Sequence, residues 1–138
     1  MITIKKQEIV KLEDVLHLYQ AVGWTNYTHQ PEMLEQALSH SLAIYVALDG
    51  DAVVGLIRLV GDGFSSIFVQ DLIVLPSYQR QGIGRSLMKE ALEDYKDAYQ
   101  VQLVTEETEK NVGFYRSMGF EILSTYNCIG MTWANRKK

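Results

Sequence analysis

The densest concentration of chemistry-bearing residues is Gln79-Arg80-Gln81-Gly82-Ile83-Gly84-Arg85. It lies between an apolar run ending at Val74 and a helix-like pattern beginning near Ile83. A strand that feeds a helix through such a loop presents unpaired backbone N–H groups at the positive end of the helix dipole, a combination that binds phosphate oxygens. Gly82 and Gly84 remove side chains where a ligand must approach the backbone. Arg80 and Arg85 can add charge-assisted bonds to phosphate. The spacing is neither the dinucleotide G-x-G-x-x-G nor the Walker A G-x-x-x-x-G-K-[ST] pattern, which disfavours nicotinamide cofactors and a P-loop nucleotide.

These residues need a framework, and the rest of the chain supplies one. Ile2 and Ile4 alternate with Thr3 and Lys5 as a short strand. Leu12, Val15, Leu16, Tyr19 and Val22 recur at helical spacing up to a stop at Gly23, and a second helix is expected from Pro31 through Leu38. Residues 42–48 and 52–60 form two β-branched runs joined by Asp49-Gly50-Asp51, the composition of a hairpin. After the turn at Gly61-Asp62-Gly63, residues 66–74 read as a third strand. The helix from Ile83 carries Leu87, Ala91, Leu92 and Tyr95 on one face. Residues 101–104 are a short apolar strand, expected to be central, covered on both faces and parallel to 66–74. A last helix is expected around 111–118, stopping at Gly119, with two closing strands over 120–133. The expected fold is α/β of the α+β type: a mixed, mostly antiparallel sheet with a parallel βαβ unit and helices on both faces. The whole chain, 1–138, is expected to be one domain.

In this setting the run Q-x-x-G-x-G, following Asp71-Leu72-Ile73-Val74 and a Pro76-Ser77-Tyr78 turn, resembles the acetyl-CoA motif of the GNAT superfamily of N-acetyltransferases. Phe114-Tyr115-Arg116-Ser117-Met118-Gly119-Phe120 resembles the F-Y-x-x-x-G-F signature that follows the cofactor helix in that family. The resemblance covers nearly the whole chain in element order, with its sharp motifs at 71–86 and 111–120. One departure is that many relatives carry an asparagine seven residues before the tyrosine, a position held here by Thr108. Either Thr108 or Asn111 is left to make that polar contact.

The resemblance implies an enzyme that transfers acetyl directly from acetyl-CoA to a primary amine of a small molecule or protein. The pantetheine arm would lie on backbone groups at Leu72, Ile73 and Val74. The pyrophosphate would sit on Gln79 through Arg85, counting Arg80, Gln81, Gly82, Ile83 and Gly84 among its contacts, and Asn111, Phe114 and Tyr115 would complete the cofactor site. Tyr115 matches the family's general acid for the leaving thiolate, and the Val74 N–H would polarise the thioester carbonyl. A base is also needed, for which Asp71 is preferred to Glu106. Packing is the plainer reading of Tyr115, as is backbone capping for Asp71. Trp24, Tyr27 and His29 fall in a segment that in relatives covers the acceptor, although Trp24 reads equally as core. A non-catalytic acyl-CoA-binding regulator is the alternative function.

Composition narrows the partners. The formal net charge is −4, and the only basic cluster is Arg136-Lys137-Lys138, so nucleic acid is not an expected partner. With 1 cysteine the chain cannot form an intrachain disulfide, and His17, His29 and His40 have no metal-like spacing with Cys128. Cys128 is expected as a small buried hydrophobe in a closing strand. No apolar run reaches the length of a signal core or a membrane span, which points to the cytoplasm. Assembly as a homodimer stays open, and no metal is expected.

Overall fold

The computed structural model describes residues 1–134 and divides the chain into two compact units, Met1–Leu103 and the stretch from Val104 onward. The basic cluster Arg136-Lys137-Lys138 lies outside the described residues. In the first unit the elements run β1 (Ile2–Gln7), α1 (Leu12–Ala21), α2 (Thr25–Thr28), α3 (Pro31–Ser39), β2 (Ala43–Asp49), β3 (Ala52–Gly61), β4 (Ser66–Val74), α4 (Ile83–Asp94) and β5 (Gln100–Leu103). A 3₁₀ turn, Pro76–Tyr78, precedes α4. The strands form one sheet in the order β1-β2-β3-β4-β5, antiparallel except for the parallel β4–β5 pair.

Alternation along β2 assigns the two faces, because successive strand side chains point in opposite directions. Ile44 and Val46 pack with Val15, Leu18, Tyr19, Leu34, Leu38, Leu56 and Ile73, so α1, α2 and α3 cover one face. Tyr45 points the other way and donates its hydroxyl to Asp94 of α4. Gly55 of β3 leaves room on that same face: a Cβ there would stand 3.3 Å from Leu87 Cδ1 of α4. Helices therefore cover both faces, as the apolar periods predict.

Three expectations change. The sequence pattern gives no separate helix at Thr25–Thr28, which forms after Gly23 turns the chain at φ 71°. β5 is not central: among the described residues it is the last strand of the sheet, its side chains are only partly covered, and Val104 just beyond it is 77% exposed. The two closing strands do not form either. Residues 120–134 hold a 3₁₀ turn, Leu123–Tyr126, ended by Asn127 at φ 61°, and no strand. Cys128 is accordingly exposed rather than buried in a strand.

The second unit is built around α5 (Glu109–Ser117). Thr108 is its N-cap, with its hydroxyl accepting from the Asn111 N–H at 3.1 Å. Gly119, at φ 99°, ends it, and the Phe120 N–H reaches back to the Tyr115 carbonyl at 3.0 Å.

Candidate functional site

The first unit opens where β4 outruns β5. Parallel pairing stops at Val69↔Leu103, while β4 continues beside β3 to Val74↔Gly55. At that end the Leu75 N–H donates to the Val54 carbonyl of β3 at 2.9 Å. Because successive amides on a strand point to opposite edges, the N–H and C=O of Val74 point away from β3, to the edge β5 has left. Leu72 shares that orientation, two residues earlier. Ile73 does not: its amide turns toward β3, and its side chain is buried against α1 and α3.

The chain then turns through Pro76–Tyr78, held by the Tyr78 hydroxyl donating to Asp49 Oδ2 at 2.6 Å. Gln79 folds back, its Nε2 donating to the Val74 carbonyl at 3.0 Å, which leaves the Val74 N–H as that residue's outward group. Arg80 and Gly82 both take positive φ, 66° and 80°. Gly82 is the N-cap of α4 and offers no capping side chain. The first turn closes with the Ser86 N–H on the Gly82 carbonyl at 3.0 Å, so the amides of Ile83 and Gly84 come before the first closed turn. Gln79, Arg80, Gln81, Gly82 and Arg85 are exposed, and the Ile83 side chain anchors the helix in the core. Outward amides at Leu72 and Val74 thus run directly into a helix start of positive dipole. That surface fits an acyl thioester followed by an anionic phosphate arm.

Asp71 has a different fate from the one expected. It is 2% exposed and accepts from Arg58 Nε at 2.7 Å, Tyr19 Oη at 2.8 Å and Tyr27 Oη at 3.0 Å. Arg58 also donates to Ser41 Oγ and to Tyr27 Oη, each at 3.2 Å. Burial opposes the charge on Arg58, but Asp71 beside it outweighs that and raises the guanidinium pKa. Burial first, and then the Asp71 charge, raise the pKa values of Tyr19 and Tyr27. Asp71 is thus brought into a buried ion pair with Arg58, an arrangement that fits the structural reading of this residue better than the expected base. Arg58 and Tyr19 were missed, although a lone arginine within Leu56-Ile57-Arg58-Leu59-Val60 was a signal that an opposite charge lay nearby.

The aromatic segment is core as well. Trp24 packs edge-on to Tyr19 at 6.2 Å between centroids, Tyr27 is buried, and His29 is exposed.

In the second unit Tyr115 is half-buried, flanked by Phe114 and Phe120 at 5.1 and 5.9 Å between centroids. Burial raises the pKa of its phenol, which is protonated at neutral pH in any case. The Thr108 hydroxyl is committed to its cap. Asn111 donates Nδ2 to the Glu106 carbonyl at 3.1 Å, and the Glu106 side chain is exposed. Among the described residues no group of three or more His, Cys, Asp or Glu is arranged to hold a metal.

A family model described as an acetyltransferase (GNAT) domain matches residues 40–122, more than half of the chain. The chain belongs to the GNAT acetyltransferase family. A solved GNAT family acetyltransferase from Streptococcus pneumoniae TIGR4 is 86% identical, with a TM-score of 0.92 over 99% of this chain and 100% of that one. A GNAT family acetyltransferase from Elizabethkingia anophelis, solved with acetyl-CoA bound, shares the fold at 20% identity and a TM-score of 0.65, over 97% of this chain and 89% of that one. Serotonin N-acetyltransferase 2, chloroplastic, from Oryza sativa subsp. japonica is 32% identical over 66% of this chain and 48% of its own length. The chain spans about half the length of the curated relatives it matches first. Among the described residues no helix is long and apolar enough to cross a membrane.

Proposed function

We propose that this GNAT chain is an acetyl-CoA-dependent N-acetyltransferase acting on a primary amine, with both units serving one acetyltransferase domain. The observation that carries the reading is the continuity of the outward Leu72 and Val74 amides with the glycine-capped start of α4. A thioester carbonyl at Val74 would receive a preorganised N–H aimed at the charge that develops as the amine attacks. The amides of Ile83 and Gly84 would hold the pyrophosphate, with Arg80 and Arg85 adding positive charge. The family match and the acetyl-CoA-bound relative support the donor.

In this mechanism a neutral amine attacks the thioester carbon, the C–S bond breaks, and the thiolate takes a proton. Tyr115 supplies that proton: a phenol is protonated at neutral pH, and burial moves its pKa further up. The amine must lose its proton first. With Asp71 enclosed, that work falls to water, assisted by the exposed carboxylate of Glu106. The acceptor is proposed only at the level of primary amines; Trp24 packs on Tyr19 and Tyr27 is buried, so neither narrows that class.

Thioester consumption with a panel of amines tests the activity, and Tyr115→Phe tests the acid. The variant is expected to keep acetyl-CoA affinity while losing about 10²- to 10⁴-fold in kcat, the usual worth of a positioned proton donor. Wild-type turnover in the variant across pH 6 to 9, roughly the span in which an ordinary phenol stays protonated, would remove Tyr115 from the mechanism. Acetyl-CoA binding without consumption for any amine would leave the acyl-CoA-binding regulator.

A further inference from the structure

The loop over residues 76–82 decides how α4 begins, and Tyr78 is its one residue that is not fully exposed. Arg80 and Gly82 in this loop sit at φ 66° and 80°, and a left-handed residue other than glycine persists where its surroundings hold it. Most of what holds the loop is local. The Tyr78 N–H bonds the Leu75 carbonyl at 2.8 Å, the Gln79 N–H the Pro76 carbonyl at 3.3 Å, and Gln79 Nε2 the Val74 carbonyl at 3.0 Å. Such bonds give the loop its shape without fixing it against the sheet. Buried Ile83 seats the start of the helix, but apolar packing is non-directional and leaves the aim of the first amides to the loop.

One bond leaves the loop for a distant element. Tyr78 Oη donates to Asp49 Oδ2 at 2.6 Å across 29 positions of sequence. Among the described residues no other hydrogen bond of residues 76–82 reaches so far. Its acceptor is charged, which makes such a bond roughly twice as strong as a neutral one. Asp49 is also well fixed: it ends β2, stands opposite Ile2 of β1 and Ala52 of β3, and is followed at once by the hairpin turn at Gly50, φ 60°.

Granted the donor site proposed above, we propose that Tyr78 and Asp49 are positioning residues for the phosphates of acetyl-CoA. Their hydrogen bond fastens the loop to the β2–β3 hairpin and so aims the Ile83 and Gly84 amides before the donor arrives. A loop held in advance has less freedom to lose on binding, which is where the affinity comes from. Both residues act through those amides rather than on the thioester.

The test compares acetyl-CoA with S-acetylpantetheine, which carries the same thioester and no phosphate. Dissociation constants are read by calorimetry, the weaker one by displacement. Asp49 Oδ1 also lies 3.7 Å from the N-terminal ammonium, so Tyr78→Phe, which deletes the hydroxyl and keeps the ring, is the cleaner cut. Wild type should bind acetyl-CoA the more tightly of the two. Tyr78→Phe should weaken acetyl-CoA roughly tenfold and leave S-acetylpantetheine unchanged, whereas a general loosening of the protein would weaken both. In an Asp49→Ala background Tyr78→Phe should cost nothing further, because the hydroxyl then has no acceptor to lose. Should Asp49→Ala lose its fold, Asp49→Asn replaces it, and the cost of Tyr78→Phe should shrink. A Tyr78→Phe protein that still prefers acetyl-CoA as strongly as wild type does overturns the positioning role and leaves the donor site standing. The full tenfold cost without the Asp49 carboxylate also overturns it, since the hydroxyl would then act on the donor directly. Equal affinity of wild type for the two thioesters would show that the start of α4 holds no phosphate, and would overturn the donor site and the positioning role together.

Discussion

The two ends of β4 differ sharply although they belong to one strand. From Ile67 to Val69 the strand is paired on both sides, with β3 and with β5. From Leu72 to Val74 it is paired with β3 alone, and its second row of amides faces outward. Asp71 sits at the change, bound by Arg58, Tyr19 and Tyr27. An unpaired strand edge is ordinarily free to shift, so a binding edge needs its position set from elsewhere. Here a buried ion pair sets it from the opposite face. Asp71 lies three places before the Val74 amide that the proposed chemistry uses.

Removing the anchor should have the largest effect. Asp71→Ala would strand the Arg58 guanidinium, whose side chain is 5% exposed, and should cost about 3–5 kcal/mol in urea unfolding, the usual penalty for breaking a buried pair from one side. The opposite pattern, full stability with lost turnover, would return Asp71 to the role of base. Tyr19→Phe is a smaller cut. It deletes one hydrogen bond to a charged acceptor and should cost about 1.5–3 kcal/mol at neutral pH. Its pH dependence sharpens the point. Burial and then Asp71 hold the Tyr19 pKa above its unfolded value of about 10. Its contribution is therefore whole below about pH 10 and is lost as pH rises through the folded pKa. Wild type and variant should converge in stability on the alkaline side, measurable by unfolding at stepped pH.

Much of this framework was legible in the sequence because its signals are local. The hairpin turn Asp49-Gly50-Asp51, the stop at Gly23, the proline opening α3 and the glycine-bearing entry to α4 each fix a boundary with nearby residues. The anchor was not legible, because it depends on register. Above the β4 irregularity Leu59 pairs with Val69, and below it Arg58 pairs with Asp71, so Gln70 is the extra residue. Without that bulge Arg58 would stand opposite Gln70 and Asp71 would point to the other face. Arg58 and Asp71 each looked like an isolated charge in an apolar strand, and a one-residue slip decides whether they meet. The closing strands failed for another reason: the alternation at Ile129, Met131 and Trp133 is real, but alternation alone does not supply an edge to pair with. Of the candidate site, the α4 entry could be read from its glycines, whereas the outward turn of Val74 needed the Leu75 bond to β3.

The smallest effect is expected at the open end of the comparison. Gly82 caps α4 at φ 80° and ψ 11°, and a Cβ built there meets no protein atom within 4 Å. Gly82→Ala should therefore cost only the left-handed backbone penalty of about 1–2 kcal/mol, with no clash added. Arg80 shows that the loop tolerates one such conformation without glycine, at φ 66°. Because a loss of that size leaves nearly all of the protein folded, it cannot by itself change the affinity for acetyl-CoA measured by calorimetry. Any weakening reports what the Cβ meets when ligand is bound. If the pyrophosphate lies on the amides of Ile83 and Gly84, the methyl group intrudes beside it, and the dissociation constant should rise roughly tenfold, equivalent to about 1.4 kcal/mol. An unchanged dissociation constant in a variant that shows the expected stability loss would mean that the phosphates bypass Gly82. The open edge of β4 would then have to hold the donor without the start of α4.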